Sequence, residues 1–239
     1  QERYPRKADP AIVRLIETLQ TALLTHPGNP ELEAALATLA RAPVEVTGCG
    51  RTDTGVHAVC QVAHFDSASQ RAERSWILGL NSHLPRAASV VWIRSVSDDF
   101  HARFSAFARS YRYRIANRWI RPALEARYVS WYRRPLDAGR MHEAAQCLLG
   151  EHDFSSFRAS ACQARHAVRE VHAISVTRDG DNVTLDVTAN GFLYHMVRNL
   201  AGVLIAIGDG RRPPEWAAEV LAGRDRRLGG VTASPHGLY

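Results

Sequence analysis

Residues 48–58 read GCGRTDTGVHA and set one carboxylate, Asp53, between two threonines and among three glycines. Glycines permit backbone conformations that other residues resist, so the stretch belongs in a tight polar loop at a strand end. Three chemistries compete for such a carboxylate: a turn aspartate bonding its own backbone, one half of an aspartic-protease pair, or a solitary base or nucleophile. The tripeptide D-T-G is the protease one, but that mechanism needs two carboxylates sharing a proton. The chain holds no second D-T-G or D-S-G, and Arg51 and Thr52 stand where apolar residues usually precede a protease aspartate. Several strong helical patterns also argue against an all-β protease. The turn and the solitary carboxylate remain.

Two further places carry chemistry. Arg198 lies in GFLYHMVRNLAGVLIAI, a helical stretch apolar on nearly every side. A guanidinium there must reach solvent at one end or find an anion, because an unpaired buried charge is prohibitively costly. Gly191, Ala201 and Gly202 leave room for another backbone to approach, and Asp53 is a candidate partner for the cation. The third place is FARSYRYRI at 107–115. On a strand, Arg109, Tyr111 and Tyr113 share one face and Arg112 and Arg114 the other. Alternating arginine and tyrosine suits either an ordinary edge strand or nucleic acid, with guanidinium on phosphate and ring on base.

Composition sharpens the choice. The chain has 239 residues and a formal charge of +6, and Lys7 is the sole lysine among its 30 basic residues. GC-rich coding explains an arginine bias; bidentate pairing with phosphate gives it a use. The net positive charge favours a polyanionic partner. Cys49, Cys60, Cys147 and Cys162 are widely spaced, without a C-x-x-C pair, and His57 and His64 lack a third ligand at a convincing spacing. No metal and no cofactor is expected. A secretory leader pattern is lacking, and the longest apolar run, LAGVLIAI, is far shorter than a membrane span. No membrane association and a cytoplasmic location are therefore expected.

The elements that must position these residues follow from periodicity. DPAIVRLIETLQTALL at 9–24 has Ile12, Ile16, Leu19 and Leu23 at helical spacing and predicts a helix, followed by a second in ELEAALATLA. VEVTG and VHAVCQVAHFD predict strands around the Asp53 loop, SWILGLNSHL a helix ended by Pro85, and ASVVWIRSV a strand. A long strand is expected over 104–117. Asp137 should cap a helix ending at Gly150, and VHAISVTRDGDNVTLDVTANGF should form a hairpin about Asp179-Gly180. Helices are expected from Tyr194 to Ile207 and from Pro214 to Ala222. Strand pairs at 44–66 and 171–190 each lead into a helix, which points to an α+β fold of two similar halves, 1–104 and 105–239. One carboxylate, one buried cation and one aromatic strand on a basic protein point to chemistry on a nucleobase. An enzyme acting on a base within a stem must extrude it, and Arg51 is placed to fill the vacated space.

GCGRTDTGVHAVCQVAHFD closely resembles the signature of the TruA family of tRNA pseudouridine synthases. The resemblance runs on through WILGLNSHLP, DDFHARFSAFARSYRYRI, RMHEAAQCLLGEHDFSSFR, VTANGFLYHMVRNLAG and, more loosely, GGVTASPHGLY. It implies that Asp53 is the essential carboxylate, that Tyr111 stacks on the target uracil, and that Arg198 pairs with Asp53. Arg51 would help hold the flipped-out state, Leu238 would contact the active site, and Thr52, His57 and Arg109 are expected to join them in binding substrate. The implied reaction isomerises uridines 38, 39 and 40 of the tRNA anticodon arm, with tRNA and a second copy of the chain as partners. The implied fold has two ferredoxin-like (RRM-like) α/β-sandwich halves sharing a central, mostly antiparallel sheet with a basic cleft. The alternative is a non-catalytic tRNA-binding protein or RNA chaperone on the same scaffold. The family opens with a strand ending in a D-G-x-x-F-x-G-W-Q-like segment, absent here, and continues beyond G-L-Y, so trimming at both ends is expected.

Overall fold

The computed structural model describes residues 10–16 (as backbone), 30–50 and 52–239. The chain divides into two compact units, Gln1–Ala106 and Phe107–Tyr239. The fold is α+β: the described residues form five α-helices and two sheets. None of the described helices is long and apolar enough to cross a membrane.

The first unit runs β1 (Pro10–Ile16), α1 (Pro30–Ala40), β2 (Val46–Gly48), β3 (Gln61–Asp66), α2 (Glu73–His83) and β4 (Ser89–Ser95). Its sheet has the order β2-β3-β1-β4, and every pairing in it is antiparallel. The helix expected at 9–24 is thus corrected over its first half. PAIVRLI is a strand between β3 and β4, with Ile12 opposite His64 and Arg94. Ile12, Val13 and Ile16 are β-branched and suit a pleated surface, and Pro10 takes the first position, where a missing N–H is tolerated. The vacant slot in the sheet decides between two periodicities that the same apolar residues satisfy. Residues 17–24 lie outside the described residues.

Pro30 opens α1, and Glu31 and Glu33 in its first turn complement the helix dipole. Glu33 also accepts a hydrogen bond from the Val46 N–H at 3.1 Å, tying α1 to β2. The Asn81 amide both donates to and accepts from the backbone of Val90, 2.8 Å each way, and so locks α2 to β4. Leu32, Leu36, Phe65, Trp76, Leu80 and Ile93 close the core of this unit.

The second unit runs β5 (Arg109–Asn117), β6 (Ser130–Tyr132), α3 (Ala138–Ala145), β7 (Gly150–Asp153), β8 (Val168–Asp179), β9 (Asn182–Ala189), α4 (Met196–Gly208) and α5 (Trp216–Gly223). Its sheet order is β6-β5-β9-β8-β7, with β5 and β6 parallel and the rest antiparallel. Asp137 caps α3 by accepting from the Arg140 N–H at 3.0 Å. The helix stops at Ala145, gives way to a 3₁₀ turn, and Gly150 at φ +87° starts β7 instead of ending the helix. The expected strand at 104–117 begins only at Arg109. The Asp179-Gly180 hairpin forms, with Gly180 at φ +53°.

α4 is buried on almost every side, as its composition requires. It starts at Met196 and not at Tyr194, because His195 adopts a left-handed φ of 60°. Gly202 meets the chain that follows α5: a Cβ there would lie 1.9 Å from the Val231 carbonyl oxygen. Gly230 is confined in turn, its would-be Cβ 2.9 Å from the Gly202 oxygen. Two backbones touch at a distance only glycine allows. Gly202→Ala is therefore expected to destabilise the protein by about 2 kcal/mol or more. Thermal unfolding should show a clearly lowered midpoint, and an unchanged midpoint would refute the crossing.

Candidate active site

The Asp53 loop leaves β2 and returns as β3. The Cys49 N–H donates to the Val62 carbonyl at 2.7 Å, extending the ladder one residue past Gly48. The Gln61 side-chain amide donates to the Gly50 carbonyl at 2.8 Å and holds the loop mouth closed. At the tip, the Val56 N–H donates to the Asp53 carbonyl at 3.0 Å. That bond closes a tight turn in which Gly55 takes φ +84°, a conformation most side chains resist. Thr52, Val56 and His57 are buried and anchor the loop, whereas Asp53 is half-buried. The sequence-predicted polar loop is thus a tight turn with Asp53 at the bend. Arg51 lies outside the described residues.

His64, one of the two histidines that lack a third ligand at a convincing spacing, serves the fold. Its Nδ1 accepts from the Ala102 N–H at 3.1 Å, and its ring meets that of His101 at 4.9 Å. Burial, and then the neighbouring His101, lower its pKa. Among the described residues no three histidine, cysteine, aspartate or glutamate side chains converge on a point.

In the second unit, β5 carries both tyrosines on the face covered by α4. Tyr111 is half-buried and meets Phe192 edge-on, centroids 4.8 Å apart at 84°. Two residues on, Tyr113 is fully buried and donates its hydroxyl to the Ser234 carbonyl at 2.8 Å. Arg109 pairs with Ala189 in register at the strand's start.

The C-terminal segment arranges the rest. Arg198, in the first turn of α4, donates from Nε to the Ala233 carbonyl at 2.8 Å, and the Ala233 N–H donates back to the Arg198 carbonyl at 3.1 Å. The guanidinium is half-buried and close enough to Tyr113 to act on its charge. Leu238 is buried opposite Tyr113 in an antiparallel bridge, and Arg112 and Tyr239 exchange both backbone hydrogen bonds. Tyr111, Arg198 and Leu238 therefore surround one strand end and one helix start.

Sequence reasoning passed over three contributors. Tyr113 was legible as a face-mate of Tyr111, but its bond to the C-terminal segment was not. Phe192 backs the Tyr111 ring. Asn199, next to Arg198, is a polar residue in an apolar helix; it donates to the Phe157 carbonyl at 2.7 Å and accepts from Arg226 and Thr232. A lone amide inside an apolar run was the available signal.

A carboxylate on a tight turn, and a tyrosine and arginine held on a basic scaffold, fit an enzyme working on a polyanion. The chain belongs to the tRNA pseudouridine synthase family, a class of isomerases. Residues 144–239 match that family's common pattern. A protein of Methylococcus capsulatus is 56% identical over 209 residues, spanning 87% of this chain and 77% of its own length. One from Xylella fastidiosa strain M12 is 58% identical over 207 residues, 87% and 80% of the two chains. One from Coxiella burnetii strain Dugway is 52% identical over 221 residues, 92% and 84%. All three are named tRNA pseudouridine synthase A.

Tyr113 supplies a direct check on the geometry of the second unit. Burial pushes its pKa up to about 12, with Ser130 and Arg198 pulling it partly back. A raised acid pKa stabilises the fold fully below the unfolded value near 10 and loses that stability as pH climbs through the folded one. Stability should accordingly fall by about 2 to 3 kcal/mol between about pH 10 and pH 12. In Tyr113→Phe that share of the alkaline slope should vanish, read by denaturant unfolding at each pH.

Proposed function

We propose that this chain converts uridines 38, 39 and 40 of the tRNA anticodon arm to pseudouridine, with Asp53 as the essential carboxylate. Support comes first from relatives named tRNA pseudouridine synthase A at 52–58% identity over most of both chains. The tight turn that presents Asp53 between buried Thr52 and His57 agrees with it. Pseudouridine formation breaks the N1–C1′ bond, rotates the uracil, joins C5 to C1′, releases the C5 proton to solvent and leaves N1 protonated. Nothing is oxidised or reduced, and one carboxylate suffices: it either adds covalently or takes a ribose proton to give a glycal.

In this reading Tyr111, braced by Phe192, stacks on the extruded uracil. Arg198 pairs with Asp53, its orientation set by the Ala233 carbonyl. Arg51 supports the flipped-out state, Thr52, His57 and Arg109 bind substrate, and Leu238 contacts the reacting nucleotide. The division of labour puts the carboxylate in an N-terminal half and the tyrosine and arginine in a C-terminal half. The order β2-β3-β1-β4 and the run β-α-β-β-α-β accord with a ferredoxin-like first half. A shared sheet with a basic cleft, a homodimer and a cytoplasmic location complete the proposal.

Tritium release from tRNA labelled at uridine C5 tests it. The parent protein should release label, and Asp53→Asn should fall by about a hundred-fold or more while still binding tRNA. Full turnover by that variant would remove Asp53 from its role. Binding without any isomerisation by the parent would favour a tRNA-binding protein or chaperone. Mapping of pseudouridine at positions 38–40 in cells lacking the gene decides the positions.

A further inference from the structure

Three of the five tryptophans, Trp119, Trp131 and Trp216, lie in the second unit, and two of them line one depression. Trp119 is 68% exposed, and Arg133 lies over its ring at 4.9 Å. Trp131, 42% exposed, lines two adjoining depressions at once. The smaller, about 260 Å³, is bordered by Arg121; the larger, about 780 Å³, holds Arg211, Arg212 and Trp216. There Arg212 covers the Trp216 ring, again at 4.9 Å. The result is a track of aromatic faces alternating with guanidinium groups.

The track is held in place. Asn117, buried at the end of β5, donates to the carbonyls of Tyr132 and Arg134 at 3.0 and 2.6 Å and accepts from Leu136 N–H at 3.0 Å. The Trp131 indole donates to the Arg118 carbonyl at 2.9 Å, closing the loop on itself. Tyr132 bonds Asp209, which also pairs with Arg211. The rings are therefore preorganised, which lowers the cost of stacking on them.

Charge selects the occupant. Residues 118–134 carry five arginines against one acid, Glu125, and Asp209 beside them offsets part of the charge of Arg134 and Arg211. In a two-fold contact centred on that segment, the arginines nearest the axis would face their own copies and repel. A polyanion is attracted by the same charges. A duplex would present phosphates but no base faces, whereas an unpaired strand offers both. Arg133 already covers one face of Trp119, and the ring's exposure leaves the other for a base.

We infer that the track from Trp119 across Trp131 to Trp216 is a second RNA-binding surface that takes an unpaired segment of the tRNA, bases stacked on indoles and phosphates on arginines. The identity of the RNA rests on the tRNA synthase reading; the chemistry of the surface does not. Fluorescence anisotropy of the full chain with a labelled adenine homopolymer, against a duplex of the same length, tests it. The single strand should bind more tightly, and Trp119→Ala and Trp131→Ala should each weaken it by about five-fold or more. Trp119→Phe should recover most of the loss, and unchanged thermal midpoints show that the variants fold. The homopolymer contains no uridine, so the surface is read independently of turnover and the inference survives if no pseudouridine is made. Equal affinity of parent and both alanine variants would overturn it. So would a Trp119→Ala protein that loses self-association in sedimentation while binding the strand normally.

Discussion

The second unit depends on the crossing of residues 230–239 over α4 and β5. Gly202 and Gly230 let the two backbones meet where a single methyl group would collide. Gly237 repeats the device against β5, its would-be Cβ 2.3 Å from the Arg114 carbonyl oxygen. Once seated, the segment presents the Ala233 carbonyl to Arg198, the Ser234 carbonyl to Tyr113 and Leu238 beside the same strand. A main-chain carbonyl, that of Ala233, thus helps orient the cation at the helix start. A backbone acceptor fixes direction without neutralising charge.

Arginines divide by what they touch. Arg178 donates to Asn117 and to the Leu136 carbonyl, Arg158 to the carbonyls of Cys162 and Ala164, and Arg226 to Asn199 and Thr232. These hold irregular chain to the core, since the planar fork satisfies two acceptors at once. Others lie on rings: Arg133 on Trp119, Arg212 on Trp216 and Arg114 on Tyr239. A coding bias alone does not account for that distribution. The fold uses the first group as fasteners, and the second keeps its charge at the surface.

Much of this was readable from residue order. The Asp53 loop, the hairpin at Asp179-Gly180, the Asp137 cap and the apolar helix around Arg198 are local features, each set by residues within a turn or two. The D-T-G tripeptide misled only when read alone; Arg51 before it and glycines around it carry more information. β6 escaped notice because three residues give no periodicity, and its parallel partners at the end of β5 lie fifteen residues away. The helix expected at 9–24 failed for a related reason. Ile12 and Ile16 fit both periods, and the gap between β3 and β4 chose the strand.

By itself, then, the sequence determined the inventory: a solitary carboxylate on a glycine-bounded turn, two tyrosines on one face of a strand, an arginine opening an apolar helix, and a basic surface. It also determined most element types, because capping, turn chemistry and apolar spacing act over a few residues. Tertiary structure decided which carbonyl Arg198 donates to, that Tyr113 is fully buried, and that Trp131 and Trp216 line one depression. Those outcomes rest on contacts between residues far apart in the chain, where only the closed fold brings donor to acceptor and ring to cation.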